Sequence, residues 1–299
     1  MKPVAFDYRR ATSLDDVFHL LDRYGDDGRI LAGGQSLVPT LNMRLMAPLA
    51  VIDINRVPDL DAIRATPEGL VIGALVRQEA IERSNVVKQR APLLSMAVPH
   101  IGHAAIRTRG TIGGSLALAD PAAELPACAV ALDATIRLAR RGATRDVAAR
   151  EFFRGVYTTA LEPGEIVTEI AVPTRGAAWR WAFDELARRH GDFALAGLAA
   201  GVRLDGDAVA ESRLVFFGVD TKPARATRAE AALAGRRVDA AALDTAARAL
   251  DRDLDPPGDI HGSPALRHHL ARVLLSRVVR QLAEDRGIAG SRCVAEDRS

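Results

Sequence analysis

The sequence predicts an α+β protein, and three observations carry that expectation. Strand-like and helix-like runs do not alternate in the order that a doubly wound parallel sheet requires. Past residue 176, three long strand-like runs follow one another directly, near 179–187, 193–204 and 209–219, with Gly206 turning one into the next. Helix-like runs then close the chain near 227–234, 239–252 and 264–286. Pro173 through Gly176 reads as a domain boundary. The expected organisation is a first domain over 1–176 that divides near residue 57, a second domain over 177–287, and a polar tail over 288–299.

The elements of the first domain follow from local pattern. A helix is expected over about 13–24. Ser13 caps its first turn, and Asp16 three residues later completes a capping-box pattern. Leu14, Val17, Leu20, Leu21 and Tyr24 recur at helical spacing, and Gly25 ends the run. RILA (29–32) is a short strand running into GGQS, and AVIDI (50–54) reads as a buried strand. DAIRAT and GLVIGA flank Pro67-Glu68 as a hairpin. Helices are expected near 77–83 and 86–97, followed by a glycine-broken segment, RGTIGGSLALADP (109–121). Asp120-Pro121 has the chemistry of a helix start, and ELPACAVAL continues that helix. DATIRLARR and TRDVAA pair as strands joined at Gly142, and EIVTEIAVP (165–173) alternates as another.

Composition narrows the classes of function. At 299 residues, with 48% hydrophobic and 26% charged, the chain reads as about two ordinary globular domains. A net charge of +2 shows no broad nucleic-acid footprint, and the arginine bias is matched by abundant alanine, as in a GC-rich coding sequence. Cys128 and Cys293 form no disulfide framework and no iron–sulfur or zinc spacing; Cys128, inside PACAVAL, reads as a small core residue. No signal peptide opens the chain, and no apolar run is long enough for a membrane span, so the expected location is cytoplasmic.

Two segments could carry chemistry, LAGGQS (31–36) and TIGGSLA (111–117). Each has an apolar lead-in, two adjacent glycines and a small hydroxylated residue. Adjacent glycines permit positive φ and close ligand approach, and successive backbone N–H groups can form an anion nest. Ser36, Thr111 and Ser115 add hydroxyls. Either pair taken alone is as readily a tight turn; together they could clamp the two phosphates of a dinucleotide. Neither matches G-x-G-x-x-G or the P-loop pattern, which disfavours a standard Rossmann site or a nucleotide triphosphatase.

The residues AGGQSLVP (32–39), VIDINRV (51–57), IRTRGTIGGSLALADPAAELPA (106–127) and GEIVTEIAVP (164–173), with a weaker echo in ARRHGDFALAG (187–197), resemble the FAD-binding medium subunit of the molybdenum hydroxylases, the xanthine dehydrogenase and carbon monoxide dehydrogenase family. The resemblance covers about residues 3–286. It implies an N-terminal flavin domain of the vanillyl-alcohol-oxidase or PCMH type with two α+β subdomains, then a C-terminal domain of antiparallel sheet with helices. FAD would lie between the subdomains. Ala32, Gly33, Gly34, Gln35, Ser36 and Leu37 would stand beside the pyrophosphate, with Thr111, Ile112, Gly113, Gly114 and Ser115 as the second loop. Glu124 would meet the flavin's polar chain, Ile101 and Val167 would be apolar neighbours, and Asp192 and Phe193 would stand at the ring. Glu124 replaces the aspartate of many relatives, and acids stand at 184–185 where several relatives carry a lysine that reaches the flavin.

By the same resemblance, two [2Fe–2S] clusters and a molybdopterin cofactor belong to a small and a large partner subunit, in a dimer of heterotrimers. This chain would relay electrons through FAD to an external acceptor, with no catalytic side chain of its own. A stand-alone flavin oxidase or reductase is the alternative, and a non-enzymatic nucleotide-binding protein a third reading. His100 and His103 lie three apart but lack a third ligand, and read as bordering the flavin pocket rather than as metal ligands. Asp192 could equally solvate a turn after Gly191. Arg107 and Arg109 read as phosphate or ion-pair partners, and His268-His269 as an exposed helix face.

Overall fold

The computed structural model describes residues 2–189 and 191–284. The tail expected at 288–299, with Cys293, lies outside the described residues. The fold is α+β, built on three main sheets. The first is three-stranded and parallel. Ala50–Asp53 runs between Asp7–Arg10 and Gly28–Leu31. All four residues of the central strand are buried, as an inner parallel strand requires. The second sheet has five antiparallel strands in the order Ile63–Ala65, Gly69–Gly73, Ile166–Pro173, Thr135–Arg140, Ala143–Ala148. The third runs Trp179–Leu186, Ala196–Asp205, Ala208–Phe217, Ala224–Arg225, all antiparallel.

Three apolar cores hold these layers. Val17, Phe18, Ile52, Ile54 and Leu75 fill the core of the N-terminal sheet. The second sheet buries Leu70, Ile72, Ile136 and Ile170 against the helices of residues 78–131, and Val215 and Phe217 of the third sheet join that core. The opposite face of the third sheet packs Leu198, Leu214 and Phe216 on Thr227–Leu233, Ala240–Ala249 and the long helix Pro264–Glu284. The third sheet is therefore covered on both faces.

Several local expectations are refined. Ser13 caps Leu14–Tyr24 by accepting the Asp16 N–H, but the Asp16 carboxylate accepts from the N–H and hydroxyl of Thr12 rather than from Ser13. The helix expected over 86–97 is two, Asn85–Arg90 and Pro92–Ala97, because Pro92 has no N–H to continue the first. No helix starts at Pro121. The Asp120 Oδ1 accepts the Ala122 N–H in a turn, and the helix begins at Glu124. The glycine-broken segment is itself helical over Ile112–Leu118 and ends on Ala119 at φ 52.

Candidate functional site

A cleft of about 580 Å³ opens between the N-terminal sheet and the helices laid on the second sheet, within the roughly 300–1,000 Å³ common for cofactor sites. Ala32 through Leu37 form one wall. Thr111, Gly113, Gly114, Ser115 and Glu124 form another, Ile101 and Val167 line the interior, and Asp192 and Phe193 stand at its edge. Phe193 is 75% exposed there. Ile112 is the exception among the residues named from sequence. It is 1% exposed and belongs to the core, because the helical turn directs it away from the cleft.

The two glycine segments are not equivalent. In the first, the backbone N–H groups of Gly33, Gly34, Gln35, Ser36 and Leu37 have no acceptor among the described residues; the first donor is Val38, to the Gly34 carbonyl. Gly34 has φ 73, and the residues that carry these donors line the cleft. In the second, the backbone N–H groups of Ile112, Gly113, Gly114 and Ser115 are all used within the protein. Ile112 donates to Val76 O, Gly113 to Ala74 O, Gly114 to Thr111 Oγ1 and Ser115 to Thr111 O. Thr111 therefore caps a helix with the hydroxyl that sequence assigned to a phosphate. The free backbone donors of the expected pair of loops therefore lie mainly in the first.

The glycines also serve a different purpose from the expected one. Gly33, Gly113 and Gly114 do not have positive φ. A Cβ on Gly33 would lie 2.5 Å from the Arg109 carbonyl oxygen and 2.9 Å from the Gly110 Cα. A Cβ on Gly113 would lie 2.5 Å from the Cβ of Ala74. Backbone packs on backbone at Gly33, where the first segment meets the lead-in of the second, whereas Gly113 packs on Ala74 and a Cβ on Gly114 would meet only the Thr111 hydroxyl, at 2.8 Å.

A polar brace fixes that touch. The Asn55 side-chain amide donates to the Ala32 carbonyl at 2.8 Å and to Asp53 Oδ1 at 2.7 Å. Its own oxygen accepts from Arg77 at 2.6 Å, and Arg77 also donates to the Arg109 carbonyl. One chain of bonds thus joins the strand end of VIDINRV to the lead-ins of both segments. Burial pushes the Asp53 carboxyl up, but hydrogen bonds from Tyr8 and Asn55, with Arg10 nearby, outweigh it and hold the group below its ordinary value. Burial is also what lowers Arg77. Sequence reasoning missed this brace. The Asp-x-Asn spacing of an Asx turn in VIDINRV was its one local signal, since the Asn55 N–H donates to Asp53 Oδ1.

Two glutamates line the cleft in contrasting states. The Arg145 guanidinium meets both oxygens of Glu165 at 2.7 Å and holds it below the usual carboxylate range despite burial. Glu124 has no arginine or lysine partner among the described residues. Enclosure by the wall, together with the neighbouring Glu185 and Asp120, pushes its carboxyl up to about 8. The acids at 184–185 separate. Asp184 pairs with Arg277 of the last helix at 2.9 Å, away from the cleft, whereas Glu185 is buried behind Glu124.

Arg107 pairs with Glu82 and donates to the carbonyls of Ile101 and Gly102, so it shapes the cleft edge structurally. His100 packs on Phe183 with ring centroids 5.0 Å apart, and His103 precedes the short helix Ala104–Arg107. His268 faces Asp251 and His269 is exposed. Cys128 is fully buried. No helix among the described residues is long and apolar enough to cross a membrane. The cleft can hold an elongated ligand with an anionic middle: donors cluster at Gly33–Leu37, and apolar walls extend through Ile30, Ile101 and Val167.

Comparison with known proteins agrees with this geometry. Residues 4–175 match the family described as the FAD binding domain in molybdopterin dehydrogenase, and residues 181–282 match the CO dehydrogenase flavoprotein C-terminal domain. The chain is 40% identical to the 6-hydroxypseudooxynicotine dehydrogenase complex subunit alpha of Paenarthrobacter nicotinovorans, covering 93% of this chain and 95% of that one. It is 36% identical to the glyceraldehyde dehydrogenase medium chain of Sulfolobus acidocaldarius, over 95% of this chain and 100% of the relative. Among solved structures, a chain of the carbon monoxide dehydrogenase of Hydrogenophaga pseudoflava that lacks the Mo-pyranopterin moiety superposes with a TM-score of 0.92 at 36% identity, covering 94% and 98% of the two chains. A chain of quinoline 2-oxidoreductase from Pseudomonas putida 86 gives 0.90 at 38% identity, covering 95% and 99%.

Proposed function

This chain belongs to the family of FAD-binding medium subunits of the molybdenum hydroxylases, and from that premise we propose that it seats FAD along the cleft and relays electrons from an iron–sulfur partner to an external acceptor. As a member it is an oxidoreductase subunit, and its relatives are subunits of multi-subunit dehydrogenases, which favours a relay over a stand-alone flavin oxidase. The observation that carries the seating is the run of unpaired N–H groups from Gly33 to Leu37 on the wall of the cleft. Those residues fit FAD. A run of five free donors can take several oxygens of a pyrophosphate in place of water.

Bound FAD would supply the redox chemistry, accepting electrons singly and releasing them in pairs. The protein's residues bind, orient and exclude water. Ala32 through Leu37 hold the pyrophosphate by backbone donors, and Ser36 adds a hydroxyl. Thr111, Gly113, Gly114 and Ser115 act as a helical wall that the ligand would lie against, with the backbone donors of Gly113, Gly114 and Ser115 spent and the hydroxyls of Thr111 and Ser115 left to donate. Ile101 and Val167 keep the ring's surroundings dry, Phe193 covers it at the edge with Asp192 beside it, and Glu124 faces the polar chain of the cofactor.

Two [2Fe–2S] clusters and a molybdopterin cofactor would reside in a small and a large partner subunit. The assembly is proposed as a dimer of heterotrimers in the cytoplasm. The test is direct. The purified complex should be yellow and release stoichiometric FAD on denaturation, and replacing Ser36 by proline, which removes its N–H and its hydroxyl, should lower retained FAD. A colourless native complex would overturn the proposal.

A further inference from the structure

Behind the cleft wall lies a group of titratable side chains that the flavin relay as described does not use. Glu185, on the strand Trp179–Leu186, has a side chain only 6% exposed. Its Oε2 is buried with no hydrogen-bond partner among the described residues. Its Oε1 lies 3.6 Å from His100 Nδ1, beyond hydrogen-bond reach. Glu124, at the first position of the helix Glu124–Ala131, lines the cleft in front of it. On the same helix and its lead-in stand Cys128, fully buried, and Asp120, which accepts from the Tyr157 hydroxyl at 3.2 Å. No arginine or lysine among the described residues pairs with Glu124 or Glu185, although Glu165 across the cleft has Arg145. Two carboxyls with no arginine or lysine partner, and with His100 beside only one of them, cannot both be ionised at low cost in such a place.

We propose that Glu124 meets the bound cofactor as a neutral acid, an O–H donor, and that Glu185 behind it keeps it in that form, so that FAD binding takes up a proton whenever Glu124 begins ionised. This rests on the seating of FAD in this cleft. The proton comes from solvent and joins the Glu124 carboxylate; no bond of the cofactor changes. The direction follows from the charges. A pyrophosphate brings negative charge, and a seated ligand displaces water, and both disfavour a carboxylate in the wall. Burial and Glu185 already raise the flavin-free Glu124 to about 8. Above that pH, binding must therefore pay for protonation, and below it binding is indifferent to pH.

The test is FAD affinity against pH, read by quenching of flavin fluorescence on full-length chain stripped of flavin, from pH 6.5 to 9.5. The wild type should show a flat Kd up to about pH 8 and then a rise approaching tenfold per pH unit, as one proton linked to binding requires. Glu124→Gln, permanently neutral and still a donor, should bind with a Kd that stays flat across the range. Glu185→Gln removes the neighbouring charge and should move the onset of the rise to lower pH while leaving its slope. A packing role for Glu185 would alter affinity at every pH and leave the onset in place. A wild-type Kd flat to pH 9.5, or a Glu124→Gln protein that titrates like the wild type, overturns the proposal while the FAD site stands. Absence of any FAD binding overturns the site itself, and the proposal with it.

Discussion

Gly33→Ala separates two explanations of the first glycine pair. If the glycine is there to admit phosphate, an added methyl weakens FAD binding and leaves the flavin-free protein intact. The structure predicts otherwise. The new Cβ would stand 2.5 Å from the Arg109 carbonyl oxygen, 2.9 Å from the Gly110 Cα and 3.1 Å from the Arg109 carbonyl carbon. All three are backbone atoms, so no flexible side-chain end can turn aside. Restoring ordinary carbon–oxygen contact means moving one segment by roughly 1 Å against the close packing of the other. That motion works against the Asn55–Ala32 and Arg77–Arg109 bonds, which hold both segments. Overpacking of this kind costs about 1–3 kcal/mol. At roughly 2–4 °C per kcal/mol, the flavin-free melting temperature should fall by about 2–12 °C. The assay is thermal unfolding of stripped protein followed by circular dichroism, with retained FAD measured separately. Gly34→Ala is the companion: its φ of 73 costs about 1–2 kcal/mol in the left-handed region, with contacts only to the side-chain ends of Leu31 and Val38. A Gly33→Ala protein whose flavin-free stability equals wild type would refute the backbone-packing account and restore the phosphate one.

Three further outcomes follow from the same geometry. Asn55→Leu leaves the Ala32 carbonyl and the Arg77 guanidinium without their partner; the loss should be about 1–3 kcal/mol in urea unfolding, with reduced FAD retention, and unchanged values for both would show that the brace is idle. Asp53 is held below its ordinary 3.8, so its folded value lies under its unfolded one; the stability it contributes is complete above 3.8 and disappears as pH falls through the folded value. Asp53→Asn should flatten that acid limb of a stability–pH profile, and an unchanged limb would assign it to other carboxylates. Arg267, 5% exposed on the last helix, donates to the carbonyls of Leu195 and Gly218 and to Asp259. Gly218 in turn donates to the Pro121 carbonyl beside the cleft. Arg267→Met should cost about 1–3 kcal/mol by leaving the Leu195 and Gly218 carbonyls without their donor and should broaden the visible circular dichroism of bound flavin, whereas an unaltered flavin spectrum would confine Arg267 to the second domain.

Much of the fold was legible locally. The helix over 14–24 has its cap, its periodicity and its terminal glycine in consecutive residues. The hairpin at 63–73 and the strands on either side of Gly142 are set by alternation and turn residues. Pro92 was equally readable, and its break in the 85–97 run follows from its missing N–H. The segment 109–121 misled because two glycines suggest a loop, while tertiary packing on Ala74 favours a helix that only glycine allows to approach so closely.

The sequence by itself paired residues 31–36 with 111–117 as a possible phosphate clamp, and the family resemblance, not the spacing, made the expected ligand FAD. Motif identity and spacing are linear properties, and the residues named from them, apart from Ile112, line one cleft. What only the tertiary structure decided is which backbone donors remain free, what the glycines pack against, and the protonation of Glu124. The donors of Ile112 and Gly113 are taken by residues about 36–39 positions earlier in the chain, and Gly33 is paired in space with Arg109 and Gly110. Glu124 is set by burial and by Glu185 on another sheet. Hydrogen-bond satisfaction and desolvation depend on what the fold brings close, so no local pattern encodes them.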